Sequence, residues 1–147
     1  MAPKTIDLKG TARLEEYRAD AGITPGHILQ LNSDAEVLVH ATEGGYWDGS
    51  VAAEDALQGR EIDTAYVAAE LVQTLLTKRG DKVYLFLNAG ETITIGEQLI
   101  STGDGTVMAL DNVTSGVTVK QIIGIAETAL DLSASGAVDT RLEVRVF

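Results

Sequence analysis

The chain has no cysteine, and that absence removes three function classes at once: thiol nucleophiles, cysteine-ligated zinc and disulfide scaffolds. Basic residues are scarce, with 11 Lys and Arg against 22 Asp and Glu for a net charge of −11. Nucleic-acid affinity comes largely from Lys and Arg displacing counterions from phosphates, so no nucleic-acid partner is expected. Histidine, the usual general base near neutral pH, occurs twice, as His27 and His40, each in or beside a predicted strand and without a nucleophile-elbow glycine pattern. A His/Cys cluster for zinc, a D-x-D-x-D-G loop for calcium and a Walker-type lysine for phosphate are all missing, and Gly103-Asp104-Gly105 is too short for a phosphate cradle. The expectation is a protein that is not an enzyme and holds no cofactor and no metal. No run approaches the roughly 18 apolar residues that span a bilayer, and residues 1–10 lack a secretory h-region. Neither a membrane partner nor a secretory export signal is expected.

What is present suits a packed β domain. A chain of 147 residues with 45% hydrophobic content falls in the range of one compact domain. Residues 1–22 scatter Ile6, Leu8, Leu14 and Tyr17 among charges with no sustained period, which predicts an extended N-terminal arm, either frayed or tied down by a partner. Residues 23–147 read as a single β domain. Thr24-Pro25-Gly26-His27 fits a type II turn, because proline sets φ at the second position and glycine supplies the positive φ at the third. Residues 27–31 and 36–41 flank the polar Asn32-Ser33-Asp34-Ala35 and predict a hairpin. Residues 42–50 hold three glycines and the sole tryptophan and predict a surface loop.

Ser50 stands where it can cap a short helix over residues 51–58, with Gly59 as its stop. Residues 62–77 carry Val67, Leu71 and Leu75 at helical spacing, yet they run into Arg79-Gly80-Asp81 and the evident strand over residues 82–87. A hairpin about Arg79-Gly80-Asp81 is the economical reading. That tripeptide is a turn signal first and an adhesive motif only on its letters. Residues 117–126 and the alternating residues 140–147 supply further strands, separated by a turn at Ser133-Ala134-Ser135-Gly136. The fold class is mainly β, a small β-barrel or sandwich with one short helix and an extended N-terminal arm.

One pattern recurs. Ile23-Thr24-Pro25-Gly26-His27-Ile28-Leu29 and Ile93-Thr94-Ile95-Gly96-Glu97-Gln98-Leu99 share I-T-x-G-x-x-L, continued by Asp34 with Asp104 and Val37 with Val107, all at one offset of 70. Each copy predicts a tight turn, a strand, a polar tip and a returning strand. Common descent and shared turn chemistry both produce such a match.

The run Gly22-Ile23-Thr24-Pro25-Gly26, the block at residues 51–60, the segment at residues 89–99 and Ile123-Gly124-Ile125-Ala126-Glu127 together resemble decoration (cement, head-stabilising) proteins of tailed-bacteriophage capsids. The resemblance covers most of residues 20–147 and rests on structural glycine and aliphatic patterns. It implies a β-clip- or β-tulip-like homotrimer on the outer capsid surface of the virion, present in the host cytoplasm during assembly. Its implied partners are the major capsid protein, whose neighbouring subunits it clamps, and further copies of itself. On that reading the arm is the attachment element, through Lys4, Ile6, Leu8, Lys9, Arg13, Leu14 and Tyr17, because 4 of the 11 basic residues fall in its first 22 positions and an extended backbone can add to a sheet edge. Tyr46 and Trp47 are the loop candidates, as interface anchors or, for Trp47, as a plug over the barrel end. The segment at residues 89–99 is also similar to SAF or β-clip domains, which leaves a small-molecule (carbohydrate) binding module as the alternative.

Overall fold

The computed structural model describes residues 2–147. Its strands are β1 (Asp7–Lys9), β2 (Arg13–Arg18), β3 (Leu29–Leu31), β4 (Val37–Val39), β5 (Ser50–Ala52), β6 (Leu71–Leu76), β7 (Lys82–Leu87), β8 (Thr92–Ile93), β9 (Gln98–Ser101), β10 (Val107–Ala109), β11 (Gly124–Ala126), β12 (Leu130–Asp131) and β13 (Thr140–Val146). Helical structure among the described residues is limited to single 3-10 turns at Ala56–Gln58 and Leu110–Asn112. Strands β7, β10, β9, β11 and β13 follow one another in a sheet, and β13 pairs back onto β7 from Thr140↔Leu87 to Arg145↔Lys82, closing a five-stranded barrel. Strand β1 is an extra member, with Asp7 opposite Val83 on the other edge of β7.

The first half of the chain builds the same barrel again. Strand β2 pairs with β6 as β7 does with β13, and β5 joins β6 as β11 joins β13. The ring closes through single bridges: Ile28↔Val51 stands for Gln98↔Ile125, and the parallel Ala19↔Val37 stands for Leu87↔Val107. In the hairpins the register is the same at the offset of 70, since Leu29↔Val39 and Leu31↔Val37 map onto Leu99↔Ala109 and Ser101↔Val107. The preceding turns match as well. His27 N–H donates to Thr24 O at 3.1 Å and Glu97 N–H to Thr94 O at 3.3 Å, with Gly26 at φ 104° and Gly96 at φ 93°. Glycine is needed at both, because an L side chain is strained in this left-handed region. The sequence echo is thus the visible part of a duplicated barrel.

Ala19, Ile23, Leu29, Val37, Ala52, Tyr66 and Val72 fill the first barrel. The second barrel's larger cluster extends past its own wall to take in Ile28, Trp47, Val51 and Leu75 from the first half, together with Ile6. One apolar seam therefore welds the two barrels.

Four expectations need correction. The helix over residues 51–58 is absent: Ser50–Ala52 is strand β5, recruited between β6 and the start of β3, and pairing overrides the helix propensity of its alanines. What remains is a 3-10 turn at Ala56–Gln58, capped by Asp55 and stopped by Gly59 in the left-handed conformation. Strands β6 and β7 do form, but they belong to different sheets, so Arg79-Gly80-Asp81 connects the barrels and is not a hairpin tip. Residues 2–22 are extended but not loose, because β2 pairs with β6 over six residues and β1 lies on β7. Position 22 accordingly marks no structural boundary, since β2 is the opening strand of the first barrel, and residues 23–147 hold parts of two barrels.

Candidate functional site

The N-terminal segment divides by burial. Ala2, Lys4 and Thr5 are exposed, and residues 2–5 form one wall of an open cleft of about 470 Å³ whose other wall includes Glu54, Arg60, Glu61 and Asp63. No aromatic ring lines it, so it has no face on which a sugar would stack. Ile6 is fully buried in the seam, its N–H donating to Glu54 Oε2 at 3.0 Å and its carbonyl accepting from Tyr84 N–H at 2.9 Å. It is a core residue and not an attachment residue, because burying it completely satisfies the side chain inside this molecule. Leu8 is half-buried and Lys9 exposed. Burial, and then the neighbouring Asp81 charge, raise the Asp7 carboxyl above its ordinary value.

Beyond β1, Arg13 pairs with Glu15 at 3.0 Å, Leu14 stands exposed, and Tyr17 is half-buried against the first barrel's core. Lys4, Lys9, Arg13 and Leu14 are thus the arm candidates that face solvent. Asp81 ties the arm to the inter-barrel turn, accepting from Thr11 N–H at 3.0 Å and Lys78 N–H at 2.8 Å. With its carboxylate buried and engaged, Arg79-Gly80-Asp81 presents no adhesive motif.

The loop at residues 42–50 separates its two aromatics. Trp47 is 6% exposed, its indole N–H donating to Ser50 O at 2.9 Å and its backbone N–H to Gln121 Oε1 at 2.7 Å. It is the plug. Tyr46 is 74% exposed, with Lys120 Nζ 5.7 Å from its ring centroid.

His40 sits 2.7 Å from Ser101 Oγ, the spacing of a nucleophile and its base. Both are sealed in the seam, and Tyr46 O accepts from His40 Nε2 at 2.7 Å, which leaves Nδ1 to accept from the serine hydroxyl. No substrate reaches a pair so enclosed, and its role is to fix the barrels together. His27 packs on Phe86 with ring centroids 5.0 Å apart, and burial lowers its pKa below 6.5. The Asp104 carboxyl at the β9–β10 tip is held below its ordinary range: burial works to raise it, but donors from Thr102 and Thr106 outweigh burial. Among the described residues no three His, Asp or Glu side chains converge on a common point.

Arg141 escaped the sequence reading, since the alternation of residues 140–147 marks no position as special. Its Nε donates to Pro25 O at 2.9 Å, its two terminal nitrogens reach Asp63 and Ile62 O at 2.7 Å each, and its guanidinium lies 4.3 Å from the Phe86 ring centroid. This one side chain fastens the second barrel to the first.

No protein-family model and no curated protein sequence matches the chain. Among solved structures it is similar to the head fiber gp8.5 N base in bacteriophage phi29, with a TM-score of 0.58 at 14% sequence identity, over 93% of this chain and 95% of that one. The likeness therefore spans the whole architecture, both barrels included.

Proposed function

We propose that the chain is a structural virion protein of a tailed bacteriophage that seats on the outer surface of the head and stabilises contacts between major capsid subunits. The carrying observation is the end-to-end match of fold with a phage head-fiber base. A cementing part stabilises by binding the assembled state and needs no reactive group, which agrees with a molecule whose one Ser–His pair is walled in. The copies act as a homotrimer, because a three-fold clamp over a three-fold position repeats each contact three times and gains through effective concentration. Attachment runs through the exposed basic positions of the N-terminal segment.

The test uses heads from the encoding phage prepared without this protein. Wild-type chain saturates them in a co-sedimentation assay. A triple variant, Lys4→Glu, Lys9→Glu and Arg13→Glu, binds about tenfold or more weakly, ~1.4 kcal/mol, with an unchanged melting temperature. Failure of the wild type to bind would sink the capsid reading; equal binding by the variant would move attachment off the N-terminal segment.

A further inference from the structure

We propose that copies of this chain join head to tail, the first barrel of one copy docking on the second barrel of the next in the geometry by which the two barrels already meet within one chain. The inference deepens the self-association part of the reading above and rests on it; capsid attachment does not enter.

Within the chain the seam has two complementary halves. The second barrel inserts the tip of its β9–β10 hairpin into the first: Ile28 N–H donates to Gly105 O at 2.9 Å, and Gly105 N–H to His40 O at 3.1 Å. Beside the tip, Phe86 N–H donates to Gly26 O at 3.1 Å and Arg141 Nε to Pro25 O at 2.9 Å. Each of these positions has a mate in the other repeat, and every mate is exposed except Leu110, the mate of His40, which is half-buried. The recess that receives the tip is mirrored by Glu97, Gln98, Ala109 and Leu110, which line an open depression of about 70 Å³. The tip is mirrored by residues 32–36 at the end of the β3–β4 hairpin, where Ser33, Asp34 and Ala35 are exposed. Pro25 is buried whereas its mate Ile95 is 70% exposed; the Arg141 side chain is 9% exposed whereas its mate Leu71 stands at 57%.

Two details favour a second copy as the occupant. Ala35 holds φ 60°, reproducing without glycine the left-handed backbone of Gly105 at φ 86°, so the free tip keeps the shape of the seated one. Such a backbone is strained for an L residue. The seat differs in detail: a Cβ on Gly105 would lie 2.7 Å from Val39 Cβ and 3.0 Å from Val39 Cγ1, and Ala109, the mate of Val39, lacks the Cγ1 but keeps the Cβ, so the Ala35 tip sits a little further out of its recess than the Gly105 tip does. Finally, the cross-strand pair Phe86 and Arg141 reappears with its members exchanged as Arg18 and Leu71, so the Ile95 turn of the next copy again faces a guanidinium beside a large apolar side chain.

The contact between copies is more polar than the seam, since Ile28 and Leu75 give way to Gln98 and Arg145, and it is accordingly the dissociable one. It is also heterologous: each copy keeps one unused face, and addition continues until the ring closes.

Two exposed substitutions on opposite faces test this, Leu71→Glu and Ile95→Glu, with Arg18→Glu and Gln98→Trp as replacements should either fail to reach the wild-type circular-dichroism spectrum. Sedimentation of the full-length wild type should show an oligomer, and each variant alone a monomer. An equimolar mixture of the two should form a dimer containing one copy of each, because the intact face of one variant fits the intact face of the other. A wild type that stays monomeric at its highest soluble concentration overturns the inference and the trimer together. A wild type that assembles while both variants also assemble, or while the mixture remains monomeric, overturns the head-to-tail contact and leaves self-association standing.

Discussion

Where the first barrel places Ala19, Tyr66 and Val72, the second has Leu87, Leu130 and Leu142, with register and strand order kept. Volume lost at two positions of the first barrel is regained at a third, the Tyr66 ring, whose buried hydroxyl donates to Ala53 O at 2.7 Å. Burial pushes that phenol up to about 12. Interiors tolerate such redistribution while turn geometry does not, which is why the turns kept their residues and the walls did not. The barrels close alike on the parallel side, through one pair each at Ala19↔Val37 and Leu87↔Val107, but the first lends Ile28, Trp47, Val51 and Leu75 to the shared core and so depends on the seam.

That dependence makes Trp47→Ala the most damaging single change. It empties the seam and should cost about 3–5 kcal/mol, read as a lower denaturant midpoint with an unchanged slope. A small effect would mean that the barrels stand independently. Next, Leu142→Ala should cost about 2–5 kcal/mol and its mate Val72→Ala less, by roughly 0.8 kcal/mol for the methylene it does not remove. Equal losses would erase the difference between the two interiors. Tyr66→Phe leaves the Ala53 carbonyl without its donor and should cost about 1–3 kcal/mol, with no counterpart at Leu130.

The smallest expected effect separates the two matching turns by charge. Burial, ahead of the opposing charges of Asp139 and Asp104 and the reinforcing one of Arg141, lowers the His27 pKa below 6.5. The unfolded chain takes up this proton first, so the stability concerned is complete above pH 6.5 and is lost as pH falls from 6.5 through the lower folded value. At the mate position Glu97 accepts from Thr94 N–H as His27 Nδ1 accepts from Thr24 N–H. His27→Gln keeps a turn acceptor and removes the titration. The gap between urea midpoints at about pH 7.5 and about pH 5.5 should narrow in that variant; an unchanged gap would assign the acid limb to other groups.

The echo at residues 23–37 and 93–107 was legible because a type II turn demands glycine and a polar tip recruits aspartate. The rest of the duplication was not, since Arg-Leu-Glu-Glu-Tyr-Arg in β2 and Lys-Val-Tyr-Leu-Phe-Leu in β7 satisfy the same pairing with different letters. A turn reads alike whether its strands pair or part, which hid the crossing at residues 78–81. Ile6 looked isolated in a polar arm because its partners lie far along the chain, at Glu54 and Tyr84. Among the candidate surface residues, Lys4, Lys9, Arg13, Leu14 and Tyr46 were legible as exposed, whereas nothing local distinguished Trp47 as plug from Trp47 as anchor.

Strand β1 is synthesised ahead of β2 to β13, yet its partner is β7, with Asp7 opposite Val83. The first barrel has all its strands once Leu76 has emerged, while β1 has nowhere to lie until residues 82–84 follow. Closing so long a loop carries an entropic cost that local hairpins do not. Strand β1 is therefore among the last parts to be locked, and a nascent chain stalled between the barrels holds the strands of the first barrel with Ile6 and the first half's share of the seam still in water, apolar surface that the finished protein buries.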